Sequence, residues 1–269
     1  MKNSDKGNAK FKIYPPKKQI DFYKPPKRLI EPFDEMVNKG GGNMIVLGPP
    51  GSGKSVYLLN VLMNDQCMKD IFDGGTYCIS PTINDDLSTG AFFKSYFDFI
   101  DDEYSEDLLK GISRNIQSVP AEERSLSLVL LDDCLDTFKG HRDYVAKFSS
   151  IIRHLKTIAI FSLQRLKGIP AGLRANTTIS VIFYIPSAKE YKAVEEYHSF
   201  FGGEETFRRC YQEATKVKYS CLLCNFRNMR MYKHGGNTSK PELIWAKYND
   251  DGSPWTGEKN GELNPGEEK

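Results

Sequence analysis

The eight residues from Gly48 to Ser55 constrain this chain more than any other part of its sequence. They read Gly-Pro-Pro-Gly-Ser-Gly-Lys-Ser, with the apolar run 44–47 before them and the apolar run 56–63 after them. A strand, a glycine-rich turn and a helix in this order form a phosphate-binding loop, the Walker A motif. Backbone N–H groups in the turn and the positive end of the helix dipole converge on one point and stabilise an anion there. The sequence therefore predicts a site for a nucleoside triphosphate.

The residues of this loop have separate expected roles. Lys54 reaches the β- and γ-phosphates, and the hydroxyl of Ser55 binds Mg²⁺. The alternative is an ordinary glycine turn, but motif and context are independent signals and both are complete. A nucleoside triphosphate with Mg²⁺ is thus expected to bind here, and the family resemblance given below makes that nucleotide ATP. The candidate binding residues are Gly48, Pro49, Pro50, Gly51, Ser52, Gly53, Lys54, Ser55 and Val56.

A second apolar run, residues 126–131, ends in two carboxylates, Asp132 and Asp133. Nearly uninterrupted aliphatic residues are typical of a strand buried on both faces in a parallel sheet. The carboxylates then emerge at the carboxyl edge, where open α/β sheets bind their ligands. We interpret the pair as a Walker B element, in which Asp132 holds Mg²⁺ through water and Asp133 polarises the attacking water. The alternative is a solvated Asp-Asp turn.

A third apolar strand, 157–163, is followed by Gln164 and Arg165. A glutamine at this edge can hydrogen-bond the γ-phosphate or the attacking water. Another short run, 76–80, is a further buried strand between the two Walker motifs. Together these strands predict an α/β P-loop NTPase of the RecA-like (ASCE) type, a three-layer sandwich with a mostly parallel central sheet.

The other segments have weaker patterns. We expect a short helix within 29–38, mostly helix over 85–116, a helix over 144–155 and a loop over 167–176. A strand over 178–185 and a helix over 187–200 follow. The segment 204–248 is expected to contain one helix and two or three strands.

Charge is distributed unevenly, although the formal net charge is only +2. Residues 1–30 form a Pro/Lys-rich arm, 31–248 the ATPase domain and 249–269 an acidic tail that is expected to be disordered. The arm indicates an anionic partner near the N-terminus, or else a solvated basic tail. Its basic residues are Lys2, Lys6, Lys10, Lys12, Lys17, Lys18, Lys24, Lys27 and Arg28.

The cysteines allow a metal site as a minor alternative. Cys221 and Cys224 have zinc-like spacing, with Cys210 upstream and His234 downstream, but zinc needs four converging ligands. A strand with buried cysteines is the simpler interpretation of residues 217–224. No run of about 20 apolar residues suggests a membrane span, and the N-terminus lacks a secretion signal, so an intracellular setting is expected.

The order of these motifs resembles the FtsK–HerA superfamily of DNA-pumping ATPases. Within that superfamily, the chain is most similar to the genome-packaging ATPases of large DNA viruses and virophages, of the poxvirus type. The resemblance covers roughly residues 40–235. The features that carry it are the P-loop, the double Asp, Arg153-His154 before the third strand, Gln164 at its end, Ile79-Ser80-Pro81-Thr82 and Leu173-Arg174-Ala175-Asn176.

The resemblance implies roles for single residues. Asp133 occupies the catalytic carboxylate position, where many cellular members carry glutamate, and Gln164 matches the sensor glutamine. Arg153 matches the arginine finger that one subunit inserts into its neighbour's site, with Arg174 and Arg165 as second and third choices. The alternative for each arginine is an ordinary surface or carboxylate-paired side chain.

The implied function is ATP-driven translocation of double-stranded DNA, which packages a viral genome into a capsid. It implies a homo-oligomeric ring, a capsid or portal partner, and a location in the virion or in a viral factory of the cytoplasm or nucleus. Three alternatives are a cellular translocase of the same superfamily, a non-catalytic ATP-binding assembly factor and a nucleotide kinase. The kinase is disfavoured because Ser80-Pro81-Thr82 stands where kinases carry an acceptor-binding Asp-Arg element.

Overall fold

Among the residues that the structure describes, nine strands form one sheet. The structure is a computed structural model that describes residues 29–134, 138, 142–236 and 238–255. The strands are β1 (Gly42–Leu47), β2 (Thr76–Ile79), β3 (Phe99–Asp101), β4 (Ser127–Asp132), β5 (Thr157–Leu163), β6 (Thr177–Phe183), β7 (Ser220–Asn225), β8 (Arg230–Gly235) and β9 (Thr238–Ala246). They lie in the order β3-β2-β4-β5-β1-β6-β7-β8-β9.

Helices connect most of these strands. They are α1 (Phe33–Asn38), α2 (Lys54–Met63), α3 (Gly90–Tyr96), α4 (Glu106–Gln117), α5 (Arg142–Ile151), α6 (Ala171–Ala175), α7 (Ala188–His198) and α8 (Glu204–Ala214). Strands β1 to β6 pair in parallel, whereas β7, β8 and β9 extend the sheet as antiparallel strands. The predicted P-loop fold with a mostly parallel sheet is confirmed.

Both faces of the sheet are covered, which explains the continuous apolar runs in its central strands. In β1, Ile45 and Leu47 pack into one hydrophobic cluster, and Met44 and Val46 pack into the other. The first cluster includes residues of α4, α5, α7 and α8, and the second includes residues of α1, α2 and α3. Because successive side chains of a strand point to opposite faces, a strand between two helical layers is buried at every position and is mostly apolar.

One expectation about local structure missed a strand, and another is wrong. The segment 85–116 is mostly helical, as predicted, but it also contains β3 between its two helices; this edge strand has only three residues, all half-buried, so it leaves no strong apolar pattern. The expected loop 167–176 contains α6, a helix of five residues that follows Pro170. The segment 204–248 does contain one helix and three strands, as predicted.

The two ends of the chain were predicted to be an arm and a tail. Residues 1–28 of the arm and 256–269 of the tail lie outside the described residues. Residues 249–255 are described: Asn249 N–H donates to Ser253 O at 2.8 Å, and Tyr248 bridges to Pro254. Within the described part of the chain, no helix has the length and apolar character needed to cross a membrane.

Candidate nucleotide-binding site

The loop after β1 has the backbone of an anion-binding turn. Gly51 and Gly53 have φ angles of 75° and 98°, a left-handed region in which side chains are strained, and α2 begins directly at Lys54. Gly48 must also lack a side chain, because a Cβ there would lie 2.8 Å from the Cβ of Phe183. The glycines of the motif are therefore required by the path of the backbone.

Lys54 is buried at the mouth of this loop. Its side-chain Nζ donates to Gly48 O at 2.8 Å and to Pro49 O at 3.3 Å. Burial lowers the pKa of Lys54, while the carboxylates of Asp133 and Asp132 oppose that shift. A phosphate oxygen carries more negative charge than these carbonyls, so a bound triphosphate would attract the ammonium more strongly.

Asp132 is the last residue of β4 and is only 8% exposed. Ser80, at the carboxyl end of the neighbouring strand β2, donates its hydroxyl to Asp132 Oδ2 at 3.1 Å. Burial raises the pKa of Asp132, and the adjacent Asp133 carboxylate raises it further. A buried carboxylate that is short of positive charge is suited to a cation site.

Asp133 follows with a left-handed backbone, φ 51°, and its N–H donates to Ser162 O at 2.9 Å. Its Oδ1 atom is buried and has no hydrogen-bond partner among the described residues. Such an atom is costly unless a ligand or water satisfies it. The oxygen donors of Ser55 and Asp132 fit Mg²⁺, a hard cation that keeps several waters, and Asp133 Oδ1 can accept from one of those waters.

One cavity joins the loop to both carboxylates. Its volume is about 830 Å³, within the range of ligand pockets. Besides Lys54, Ser55, Asp132 and Asp133, it reaches residues on the opposite side of the loop. Those residues are Tyr219, His234, Gly235 and Gly236. The cavity is also lined by Thr82, Asp85, Asp86 and Ser88.

Gln164 lies beside the loop but does not line this cavity. It follows Leu163, whose carbonyl accepts a hydrogen bond of 3.1 Å from Gly48 N–H, and it is exposed. Arg165 is its exposed neighbour on the same edge. Gln164 therefore lies at the carboxyl end of β5 next to the P-loop, and its sensor role stays a prediction.

Arg153 and Arg174 lie at the other edge of the sheet. Arg153 is exposed in the turn before β5. Burial lowers the pKa of Arg227 at that edge, and the positive charge of Arg153 lowers it further. Arg174 belongs to α6, directly before β6. The seven residues of β5 span about 23 Å, so neither arginine lies beside the P-loop of its own chain.

The four residues of the zinc alternative do not converge. Cys221 packs into the hydrophobic cluster on the α2 side of the sheet, whereas Cys224 and Cys210 pack into the opposite one. Cys221 Sγ donates to the carbonyl of His234 at 3.3 Å. The strand with buried cysteines that was predicted for residues 217–224 is confirmed, although it begins later, at Ser220, and ends at Asn225.

Two residues of the site had no predicted role there: Ser80, which was noted only as part of the motif Ile79-Ser80-Pro81-Thr82, and Tyr219. Ser80 could have been found from the strand order, because β2 pairs with β4 and their carboxyl ends are adjacent. No sequence pattern indicated Tyr219, because its position beside the loop depends on the antiparallel pairing of β7 with β6.

Comparison with known proteins gives one family. Residues 33–205, more than half of the chain, match the family model described as Poxvirus A32 protein. A search of curated proteins found no significant match.

Solved structures share the fold. The genome packaging NTPase B204 from Sulfolobus turreted icosahedral virus 2, in complex with ATP-gammaS, matches with a TM-score of 0.53 and 12% identity over 74% of this chain and 99% of that one. The DNA-packaging ATPase B204 from Sulfolobus Turreted Icosahedral Virus matches with a TM-score of 0.50 and 13% identity over 73% and 98%. At these identities the likeness shows a common fold alone.

The family match confirms the resemblance to packaging ATPases of the poxvirus type, and the P-loop fold agrees with it. The chain belongs to the Poxvirus A32 protein family and is a P-loop ATPase.

Proposed function

We propose that this protein is an ATP-driven translocase of double-stranded DNA that packages a viral genome into a capsid. The observation that carries the proposal is the cavity in which the P-loop meets Asp132 and Asp133. The family supports the viral setting, and the two similar structures are described as genome- or DNA-packaging enzymes. The virion or a viral factory in the cytoplasm or nucleus is the corresponding location.

Hydrolysis at this site needs few protein groups. Lys54 would bind the β- and γ-phosphates, and Ser55 and Asp132 would hold Mg²⁺, which when bound would neutralise charge that develops on the phosphates. Asp133 accepts a hydrogen bond from the attacking water through its unsatisfied Oδ1 atom. Gln164, beside Gly48, orients that water or contacts the γ-phosphate. Positioning and charge stabilisation then supply most of the rate.

A ring is part of the proposal because, among the described residues, no arginine lines the nucleotide cavity. Arg153 is exposed and lies about one strand length from the P-loop of its own chain. An exposed arginine on the far edge is well placed to enter the site of a neighbouring subunit. Arg174 shares that edge and is the second candidate; Arg165 lies on the edge of its own site.

DNA would be held through its phosphates, since a motor that moves along any sequence cannot depend on base contacts. The basic arm, residues 1–30, is the proposed contact either to DNA or to a capsid or portal protein. Residues 31–248 then form the ATPase domain, and residues 249–269 its tail. A cellular FtsK/HerA-type translocase would share this chemistry, and a non-catalytic assembly factor would bind ATP without turnover.

Displacement of a third strand from a DNA triplex tests the translocase. The full chain with ATP is expected to release the third strand and to leave the duplex paired. Lys54→Ala should release none, because the lysine that contacts the transferred phosphate is lost. Release with a non-hydrolysable ATP analogue, or none with ATP under conditions where the chain hydrolyses it, would contradict translocation.

A further inference from the structure

The nucleotide cavity has a second wall that the hydrolysis mechanism does not use. Asp132 ends β4, two strands from β1 on one side, while Tyr219 precedes β7, two strands from β1 on the other. Four strand spacings separate β4 from β7, about 19 Å. The P-loop after β1 lies between them, so a triphosphate whose γ-phosphate lies near Asp132 has room in this cavity to extend its nucleoside toward Tyr219.

Tyr219 presents an aromatic ring directly beside the P-loop. A Cβ placed on Gly53 would lie 3.0 Å from Tyr219 Cδ1, so the ring and the loop are in contact. The side chain is nevertheless 52% exposed, and it lines the cavity together with Val56, the residue that follows Ser55. An exposed aromatic ring next to a phosphate-binding loop is a surface on which a base can stack.

The backbone holds Tyr219 in this place. Its φ of 65° is uncommon for a bulky residue, and its carbonyl accepts from Gly236 N–H at 3.1 Å. Gly235 permits this approach, since a Cβ there would lie 2.8 Å from Tyr219 O. Lys218 Nζ lies 4.8 Å from the ring centroid, a cation–π contact that also restricts the ring.

We infer that Tyr219 is the base-binding residue of this site, the ring on which the nucleobase of the bound triphosphate stacks. The inference rests on the proposed nucleotide site and adds the residue that contacts the base. Stacking uses the π-face that every base has, so it favours nucleotides over bare polyphosphate but discriminates little between bases. ATP and GTP should both bind through this ring, and inorganic tripolyphosphate should not depend on it.

Calorimetric binding of ATP, GTP and inorganic tripolyphosphate, each with Mg²⁺, tests this inference. Tyr219→Ala is expected to weaken ATP and GTP about fivefold or more, the usual worth of one stacked base, and to leave tripolyphosphate unchanged. Tyr219→Phe keeps the ring and should bind all three as the wild type does. Tyr184→Ala removes a 61% exposed tyrosine that does not line the cavity, so it is the matched control.

Fluorescence gives a second readout that does not depend on turnover. Tyr219→Trp should be quenched by ATP but not by tripolyphosphate, beyond any change in the wild type. Unchanged ATP binding by Tyr219→Ala would overturn the inference, and so would an equal loss of tripolyphosphate, which would indicate a distorted P-loop. A wild-type chain that bound neither ATP nor tripolyphosphate would overturn the nucleotide site itself.

Discussion

Asp132→Asn is expected to lose about 10²–10³-fold in ATP turnover and yet to resist unfolding better than the wild type. Turnover falls because an amide carries no charge to hold Mg²⁺. Stability rises because the buried carboxylate is neutralised, while the amide oxygen can still accept from Ser80. Ser162, the register partner of Asp132 on β5, offers a hydroxyl oxygen to the new amide N–H. Steady-state hydrolysis and urea unfolding measure the two effects.

The stability gain should depend on pH in a defined direction. Burial raises the pKa of Asp132 in the folded protein above its ordinary value of 3.8. Below pH 3.8 both states of the wild type are protonated, so the variant has no advantage. As the pH rises, the unfolded state ionises first, and the wild type loses stability until the folded pKa is passed. The advantage of Asp132→Asn should thus grow upward from about pH 4 and then level off.

Asp85→Asn is the matched control for this prediction. Asp85 lines the same cavity but is exposed, so neutralising it should leave the free energy of unfolding nearly unchanged. If Asp132→Asn unfolded more easily than the wild type at neutral pH, the buried charge of Asp132 would not be destabilising the folded protein. Normal hydrolysis by the variant would refute the Walker B assignment.

Arg153→Ala is expected to lower turnover about 10³–10⁵-fold while ATP still binds, since an arginine finger stabilises charge in the transition state. The P-loop is intact in this variant, and Arg153 lies at the opposite sheet edge. Arg209→Ala, an exposed arginine on α8, is the control and should hydrolyse ATP normally. Equal ATP affinity with lost turnover would separate this role from a structural one.

Mixing two inactive variants tests whether Arg153 acts between subunits. A Lys54→Ala subunit still carries Arg153, and an Arg153→Ala subunit still carries its P-loop. Rings that contain both should recover some shared sites and partial turnover. If mixed assemblies formed and stayed inactive, Arg153 would not act across the interface, and Arg174→Ala would be tested in the same way.

The central strands and the P-loop could be predicted because local pattern and tertiary role coincide there. Residues 127–132 and 157–163 are buried throughout and mostly apolar, since helices cover both faces of the sheet. Two short elements could not be predicted, because so few residues show no periodic pattern. They are the edge strand Phe99–Asp101 and the single-turn helix Ala171–Ala175.

The nucleotide-binding site could be predicted only in part, because some of its contacts join residues that are far apart in the sequence. Lys54 and Asp132 stand in motifs whose spacing is local, but the contact of Tyr219 with Gly53 joins residues far apart in sequence. It depends on where β7 returns along β6, and no local pattern specifies that pairing.

The most direct measurement of the central claim is the ATPase rate of the full chain with and without double-stranded DNA, with the oligomeric state sized at the same concentration. We expect a ring whose turnover rises on addition of duplex of any sequence, with a stimulation that weakens as salt increases, because phosphate contacts release counterions. A monomer with full activity, or a ring whose hydrolysis is unaffected by duplex at low salt, would contradict the account.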